Sequence, residues 1–400
     1  MKEGWTYKKL GDCFISINNG ANIKQVKGAK GIPVTRIETL SNDKFNRERM
    51  GYADILDASP YSSYILNDGD ILMSHINSMK YLGRAVQYSK KEDEIIIHGM
   101  NLLRLVPAKD VLSSFLIYQF YTAFFRNQIV SISHQSVNQA SFNTTNLKSL
   151  RLKVPPLSEQ KRIVSRLDSA FAHIDELKAN AEKQLSEARA LFQKALAKAI
   201  EPKEGWEEKK LGELSIDITD GDHQPPPKSP VGVPFITISN IVKDSNKIDF
   251  KDTFHVPQEY YNALKDNRKP QKGDVLYTVT GSFGIPVLIN FEEEFCFQRH
   301  IALIRPKQDI LYSEFLYYWI LSDYAVSQAD DVATGAAQRT VSLKSLRNFS
   351  IVIPSLSEQR RIVARLDSLS ENVRKYEEIQ KKVIAECDNL KQAMLRQVFE

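Results

Sequence analysis

The sequence predicts an α+β protein: two tandem globular α+β units and two long helices, the helices pairing as an antiparallel coiled coil and the halves related by a pseudo-twofold axis. Two observations carry this reading. Residues 157–168 read LSEQKRIVSRLD and residues 356–367 read LSEQRRIVARLD, ten of twelve positions identical at an offset of 199 in a chain of 400 residues. A repeat this close is sought before any other signal, because it sets the architecture. The second observation is an apolar residue at alternating spacings of four and three through both charged segments that begin with this motif, the mark of a coiled-coil seam.

The duplication frames both globular units. Glu3-Gly4-Trp5 returns as Glu204-Gly205-Trp206, Gly69 to Leu72 resembles Gly273 to Leu276, and Leu147 to Leu150 reads the same as Leu343 to Leu346. Leu191 to Glu201 aligns with Leu390 to Glu400. The middles of the units do not match. A kept framework around different interiors suggests one fold presenting two different surfaces.

Taken in order, residues 1–156 form the first unit, with strand-like alternation at 31–36, 70–73 and 102–106 and a helix at 113–125. Each unit, of roughly 150 residues, is long enough to bury its own core. Residues 157–201 form the first helix. Pro155 and Pro156 stop what precedes it, Ser158 is placed to cap it, Glu159 sits in the electropositive first turn, and Pro202 closes it. Its seam reads Ile163, Leu167, Ala170, Ile174, Leu177, Ala181, Ala188, Leu191 and Ala195, with Gln184 interrupting. Residues 202–355 form the second unit, with strands at 231–238, 274–279 and 301–304 and a helix at 313–324. Residues 356–400 form the second helix, with a seam of Ile362, Leu366, Leu369, Val373, Tyr376, Val383, Cys387, Leu390 and Met394, interrupted by Gln380. At 1.5 Å per residue such a helix is a rod on the order of 60 Å, a ruler between two surfaces.

Composition narrows the class. Three cysteines, Cys13, Cys296 and Cys387, lie far apart, which argues against a disulfide framework and fits a reducing cytoplasm. No apolar run is long enough for a signal core or a membrane span. Basic residues outnumber acidic ones 20 to 13 over 1–157, but are outnumbered 17 to 21 over 202–356. The first unit suits a polyanion; the second does so only if its positive charge is gathered on one face. Catalytic signatures are missing. There is no phosphate-binding GxxxxGK[ST] loop, no HExxH, and no pair of histidines at metal-ligand spacing.

Polar, turn-rich loops recur at matching places instead. In the first half these are His75, Asn77, Ser78, Lys80, Tyr81 and Arg84, then His134, Gln135, Asn138 and Gln139. In the second half they are Thr280, Ser282 and Phe283, then Gln298 and Arg299, then Gln338 and Arg339. Asn, Gln, Arg, Ser and His are the side chains that read base edges or hold phosphates, so these positions are the candidate DNA contacts. The plain alternative is that they are solvated loops.

The paired LSEQ[KR]RIV[SA]RLD segments, each preceded by Val154-Pro155-Pro156 or Val352-Ile353-Pro354, resemble the helical regions of specificity subunits of type I restriction-modification systems. The loop at Gly281 to Gly284 and the stretch from Gly335 to Leu346 are similar to that family as well. The resemblance covers the whole chain, in the order target recognition domain, helical spacer, target recognition domain, helical spacer. It implies a non-catalytic, cytoplasmic scaffold that reads double-stranded DNA with a bipartite, asymmetric target. Two modification subunits would use S-adenosylmethionine to methylate adenine N6, with restriction (motor-nuclease) subunits as further partners. No cofactor or metal is expected in this chain. Two other readings stay open: a tandem protein-interaction scaffold, and the recognition subunit of a methylation-only defence system. The repeat also carries a geometric expectation. Glu201 to Glu204 alone join Ile200 to Gly205-Trp206, so the end of the second helix should lie equally near Gly4-Trp5. By the same symmetry, a half-chain should dimerise and recognise a symmetric target.

Overall fold

The computed structural model describes residues 4–41, 43–137, 139–335 and 338–400. It forms two compact units, Met1–Glu182 with Lys381–Glu400, and Lys183–Gln380. The division falls within both long helices, Leu157–Ile200 and Leu356–Phe399, so each unit contains part of each helix.

Each unit is built on a four-stranded antiparallel sheet of one order. In the first unit the strands are Phe14–Asn19, Leu102–Pro107, Ile71–Ser74 and Ala85–Gln87. In the second they are Ser215–Asp220, Ile301–Pro306, Val275–Thr278 and Pro286–Leu288. The alternation along the strands feeds two cores, one on each face. Ile71, Met73, Leu103 and Leu105 enter a large core with the helix Ser113–Phe120, while Leu72 and Leu102 enter a smaller one with Leu40, Tyr88 and Ile96. The second unit repeats this: Val275, Tyr277 and Ile304 face the helix Ser313–Ile320, and Leu276 and Leu303 face Phe295 and Phe297. The large cores follow one plan. The small cores are filled by the dissimilar middles of the two units.

The twelve-residue motif is explained by docking. Gln160 is fully buried; its Oε1 accepts from Leu112 N at 2.9 Å, and its Nε2 donates to Asp110 O at 3.0 Å and Pro155 O at 2.9 Å. Gln359 makes the same three bonds, to Tyr312 N at 2.8 Å, Ile310 O at 2.8 Å and Pro354 O at 2.9 Å. The closing aspartates follow suit: Tyr118 donates to Asp168 at 2.5 Å and Tyr318 to Asp367 at 2.7 Å. Ile163 and Leu167, like Ile362 and Leu366, enter the large cores. The motif therefore fixes each helix to its own globular unit.

The far ends of the helices dock as the repeat requires. In the first unit Phe399 packs against Trp5, with ring centroids 6.2 Å apart, and against Phe115 at 5.5 Å. In the second, Leu196 and Ile200 share a core with Phe315 and Trp206. The helix pairing is antiparallel within each unit: Asp175 meets Lys391 at 2.5 Å and Lys178 meets Asp388 at 2.7 Å in the first, and Arg189 meets Glu377 at 2.9 Å in the second.

The seam itself needs correction. Ile163, Leu167, Ile174, Ala181, Ile362 and Leu366 are buried, and Leu369, Val373 and Met394 are half-buried. Leu177 (57 % exposed), Leu191 (59 %), Leu390 (50 %), Tyr376 and Val383 are exposed. The expected row keeps buried Cys387 and half-buried Ala170, Ala188 and Ala195, while Phe171, Lys178, Leu185 and Phe192 in the first helix and Ser370, Glu377, Ile384 and Lys391 in the second are half-buried in place of the exposed positions. Both choices keep the four–three spacing, and the sequence favoured the row richer in leucine. The true row tolerates Lys178 and Lys391 because their stems cover apolar surface while their amines reach carboxylates. Ser158 is likewise not the cap; the helix begins at Leu157.

The repeated LKSL string is also out of register. Leu10 N donates to Leu150 O and Leu211 N donates to Phe349 O, so Leu150 corresponds to Phe349, and Leu147 to Leu346. The identity of Leu147–Leu150 with Leu343–Leu346 is three positions away from the structural equivalence.

Candidate nucleic-acid interface

In the first unit the fold brings the two predicted loops together. Ile76–Asn77, Ala140–Ser141 and His134–Gln135 form a small antiparallel sheet, with Asn77 and Gln135 both opposite Ala140. Phe142 N donates to His75 O at 3.2 Å. Two loops some 60 residues apart thus make one surface. The segment after Asn77 is held from behind by Arg126, whose guanidinium donates to the carbonyls of Met79, Lys80 and Leu82. A loop fixed through its backbone leaves its side chains free to face outward.

Arg84 is the most organised of these side chains. Its guanidinium lies 4.6 Å from the Tyr81 ring centre, and its Nε meets Asp43 Oδ1 at 3.1 Å. Lys80 Nζ lies 5.2 Å from the same ring. Arg84, Tyr81 and Asn77 line a cavity of about 370 Å³ with Arg49, Asn46 and Glu38. Asn77 Nδ2 reaches Ser74 Oγ at 3.4 Å and its Oδ1 accepts from Ser78 N at 2.8 Å. Ser78, Lys80, His134, Gln135 and Gln139 are exposed. Gln139 O accepts from Ser136 N at 2.7 Å and closes the hairpin. Asn138 lies outside the described residues. His75 points inward: its Nδ1 is buried without a partner, and burial lowers its pKa.

The second unit pairs its loops in the same way, through single bridges rather than two-residue strands. Thr340 bridges both Thr280 and Thr334, and Gly281 N donates to Arg339 O at 3.0 Å. Gly281 has φ of 72°, a conformation glycine adopts without strain. Thr278 Oγ1 donates to Ser282 O at 2.8 Å. Arg339 again lies over an aromatic ring, 5.2 Å from the centre of Phe283. Its Nη1 meets Asp330 Oδ1 at 3.0 Å and its Nη2 donates to Asp330 O at 2.6 Å, so its fork is already engaged. Gln338 is exposed. Gln298 and Arg299 sit beside Asp222, through backbone bonding, and Val279 N donates to the neighbouring His300 O at 2.9 Å. Arg299 is exposed.

Sequence reasoning passed over one element in both halves, the turn that ends the first sheet strand. Gly20 sits so close to its neighbour that a Cβ would lie 2.2 Å from His98 O, and one on Gly221 would lie 1.9 Å from Phe297 O. In the second unit this turn carries Asp220 and Asp222, which meet Arg268 at 3.6 and 3.4 Å, while Tyr260 donates to Asp222 at 2.5 Å. The signal was a glycine after two polar residues, NNG and TDG, at one place in both halves.

His98 lies beneath this turn, fully buried, with Nε2 donating to Leu102 O at 2.9 Å. Burial, reinforced by the charges of Arg104 and His75, lowers its pKa to about 4 despite the opposing pull of the Leu102 carbonyl. The folded state therefore holds fewer protons here than the unfolded chain, whose histidine titrates near about 6.5. Stability is expected to fall as the pH drops from about 6.5 towards about 4, by roughly 3 kcal/mol in all. Urea melts across that range should show the loss, and His98→Gln should flatten it; an unchanged slope in the variant would assign the acid limb elsewhere.

Among the described residues no group of His, Cys, Asp or Glu could hold a metal ion, and no helix is long and apolar enough to cross a membrane. In each unit the candidate surface consists of paired loops, a cation stacked on a ring and hydrogen-bonding side chains beside the sheet.

Comparison with known proteins agrees with this arrangement. A Methanocaldococcus jannaschii protein described as "Putative type I restriction enzyme MjaX specificity subunit" is 29% identical over 388 residues, covering 93% of this chain and 88% of its own. The type I restriction enzyme EcoKI specificity subunit of Escherichia coli is 27% identical over 321 residues, covering 74% of this chain and 66% of the relative, just under two thirds. A chain solved in work on complex assembly and conformational transition of the type I R-M system superposes with a TM-score of 0.77 at 20% identity, over 100% of this chain and 98% of that one, which shows a shared fold. The model of the type I restriction modification DNA specificity domain matches twice, at residues 2–187 and 203–384. With both halves matched, in a fold that repeats one sheet under two different sets of loops, the chain belongs to the type I restriction modification DNA specificity family.

Proposed function

We propose that this chain is the non-catalytic DNA sequence-specificity subunit of a type I restriction-modification system, acting in the cytoplasm. Each unit reads one half of a bipartite target, and the target is asymmetric because the two reading surfaces differ. The observation that carries this is one sheet scaffold with one loop pairing, repeated in both units, presenting different side chains on the paired loops. A tandem protein-interaction scaffold is not favoured, given the family to which both halves belong. The partners are DNA, two modification subunits that bring S-adenosylmethionine and methylate adenine N6, and, where the system restricts, motor-nuclease subunits. The long helices set the distance between the half-sites.

Base-modification sequencing of cells expressing this chain with its modification subunit tests the reading directly. It should return one methylated motif with two unlike halves and an unread spacer. A protein that leaves no sequence-specific mark, and binds no DNA by sequence in vitro, would overturn it.

Within that reading Arg84 carries the sharper expectation. Its stacking on Tyr81 leaves the Nη groups available beyond Asp43, so Arg84→Ala should weaken DNA binding by about 1–3 kcal/mol and relax one base of the half-site. Arg339→Ala should cost less, because Asp330 already occupies its fork. Fluorescence anisotropy over a salt series separates the cases. A uniform loss with a shallower salt slope would make Arg84 a phosphate contact, and no loss would remove it from the interface.

A further inference from the structure

The charged positions in and beside the helix seam follow a rule that the apolar stripe does not require. Lys178 and Arg189 lie on the first long helix, Glu377 and Asp388 on the second. Inside the first unit Lys178 meets Asp388 at 2.7 and 2.9 Å; inside the second, Arg189 meets Glu377 at 2.9 and 3.4 Å. Under the repeat offset of 199, Lys178 corresponds to Glu377 and Arg189 to Asp388. The two ion pairs are thus copies of a single pair. The duplicated positions have kept their geometry and taken opposite charge, basic on one helix and acidic on the other.

The consequence appears when either helix is paired with a copy of itself in the same register. Two first helices would set lysine against arginine at both ends; two second helices would set glutamate against aspartate at both ends. Charges beside a coiled-coil seam choose partners by this means, by attraction in the intended pair and repulsion in the wrong ones. The motifs that dock each helix are nearly identical in the two halves, so docking alone would not tell the helices apart.

We propose that these four residues form a pairing code that joins the first helix to the second and rejects a second copy of this chain as a like-with-like partner. The symmetric half-chain dimer expected from the repeat is then disfavoured by the code, although the seam could hold it. An exposed ion pair contributes about 0–1 kcal/mol, so replacing two attractions by two repulsions shifts pairing by on the order of tenfold at low salt.

The full chain tests this without cutting it. In Lys178→Glu/Glu377→Lys, like charges face each other within the chain, and opposite charges would face each other in both self-pairs. Adding Arg189→Glu and Asp388→Lys restores opposition within the chain, with the signs exchanged. The chains are refolded from urea at equal concentration in low salt, then examined by light scattering and thermal melting. The double variant should melt lower than wild type and give a dimer fraction on the order of tenfold higher, falling in 1 M salt as screening shortens to about 3 Å. The quadruple variant should return to wild type in both. A double variant with wild-type mass and melting would overturn the code, as would a quadruple variant no better than the double. A double variant that melts lower yet forms no more dimer would overturn the rejection of self-pairs.

Discussion

Gln160→Leu is expected to destabilise the first unit by roughly 3–5 kcal/mol, and Gln359→Leu the second by as much. Leucine nearly matches the volume but offers no polar atom. Leu112 N, Asp110 O and Pro155 O would each lose a partner in a site closed to water. A buried polar group left unpaired costs about 1–3 kcal/mol, partly relieved by rearrangement. For a unit of this size that is a melting shift of about 10 °C. Calorimetry should show each variant lowering one transition. If both variants melt within about 1 kcal/mol of wild type, the glutamine is not the joint between helix and sheet.

A comparable loss is expected at the buried ion pair beneath each sheet. Asp70 is 2 % exposed; it accepts from Arg104 Nε at 2.7 Å and from Asn67 N at 2.7 Å. Asp274 repeats the arrangement with Arg305 at 2.8 Å and Gln271 N at 2.8 Å. Arg104→Leu or Arg305→Leu would strand a carboxylate in the interior, at a cost of about 3–5 kcal/mol. Burial already raises the Asp70 pKa, against the pull of the Asn67 amide and of Arg104. Without the arginine the pKa rises further above its unfolded value, so the variant retains more stability at low pH and loses it as pH rises through the folded pKa. Denaturant titrations of Arg104→Leu should therefore show a smaller loss at pH 5 than at pH 8. A loss independent of pH would mean the deficit is packing, not charge.

These two joints also show how far sequence could be read. The motif containing Gln160 was the clearest feature of the chain, yet its spacing suggested only a helix start. That its glutamine reaches three backbone groups of the globular unit follows from where the strand and loop ends converge. The Gly-Asp pairs at 69–70 and 273–274 stood out as repeated, while their arginine partners, 34 and 31 residues away, were found only through strand pairing. The candidate segments read as loops, but in the first unit Ile76–Asn77 and His134–Gln135 pair as short strands with Ala140–Ser141. Which of their side chains face outward depended on Arg126 behind one and Asp330 beside the other, contacts that local pattern does not encode.

The sequence by itself determined the duplication, the α+β class, the two long helices and their antiparallel return, because these rest on periodicity and repetition, which survive without coordinates. Tertiary structure decided the seam row, the register of the LKSL elements and the orientation of the candidate reading residues. The physical reason is the same in each case. A four–three spacing fits two rows on one helix, and a short helix can carry the same letters three positions apart. An arginine in a loop can be free or tied. Only the neighbouring surface, through burial and hydrogen-bond geometry, selects among these equals, and it chose Lys178 over Leu177 because a lysine stem can lie along a seam while its amine finds Asp388.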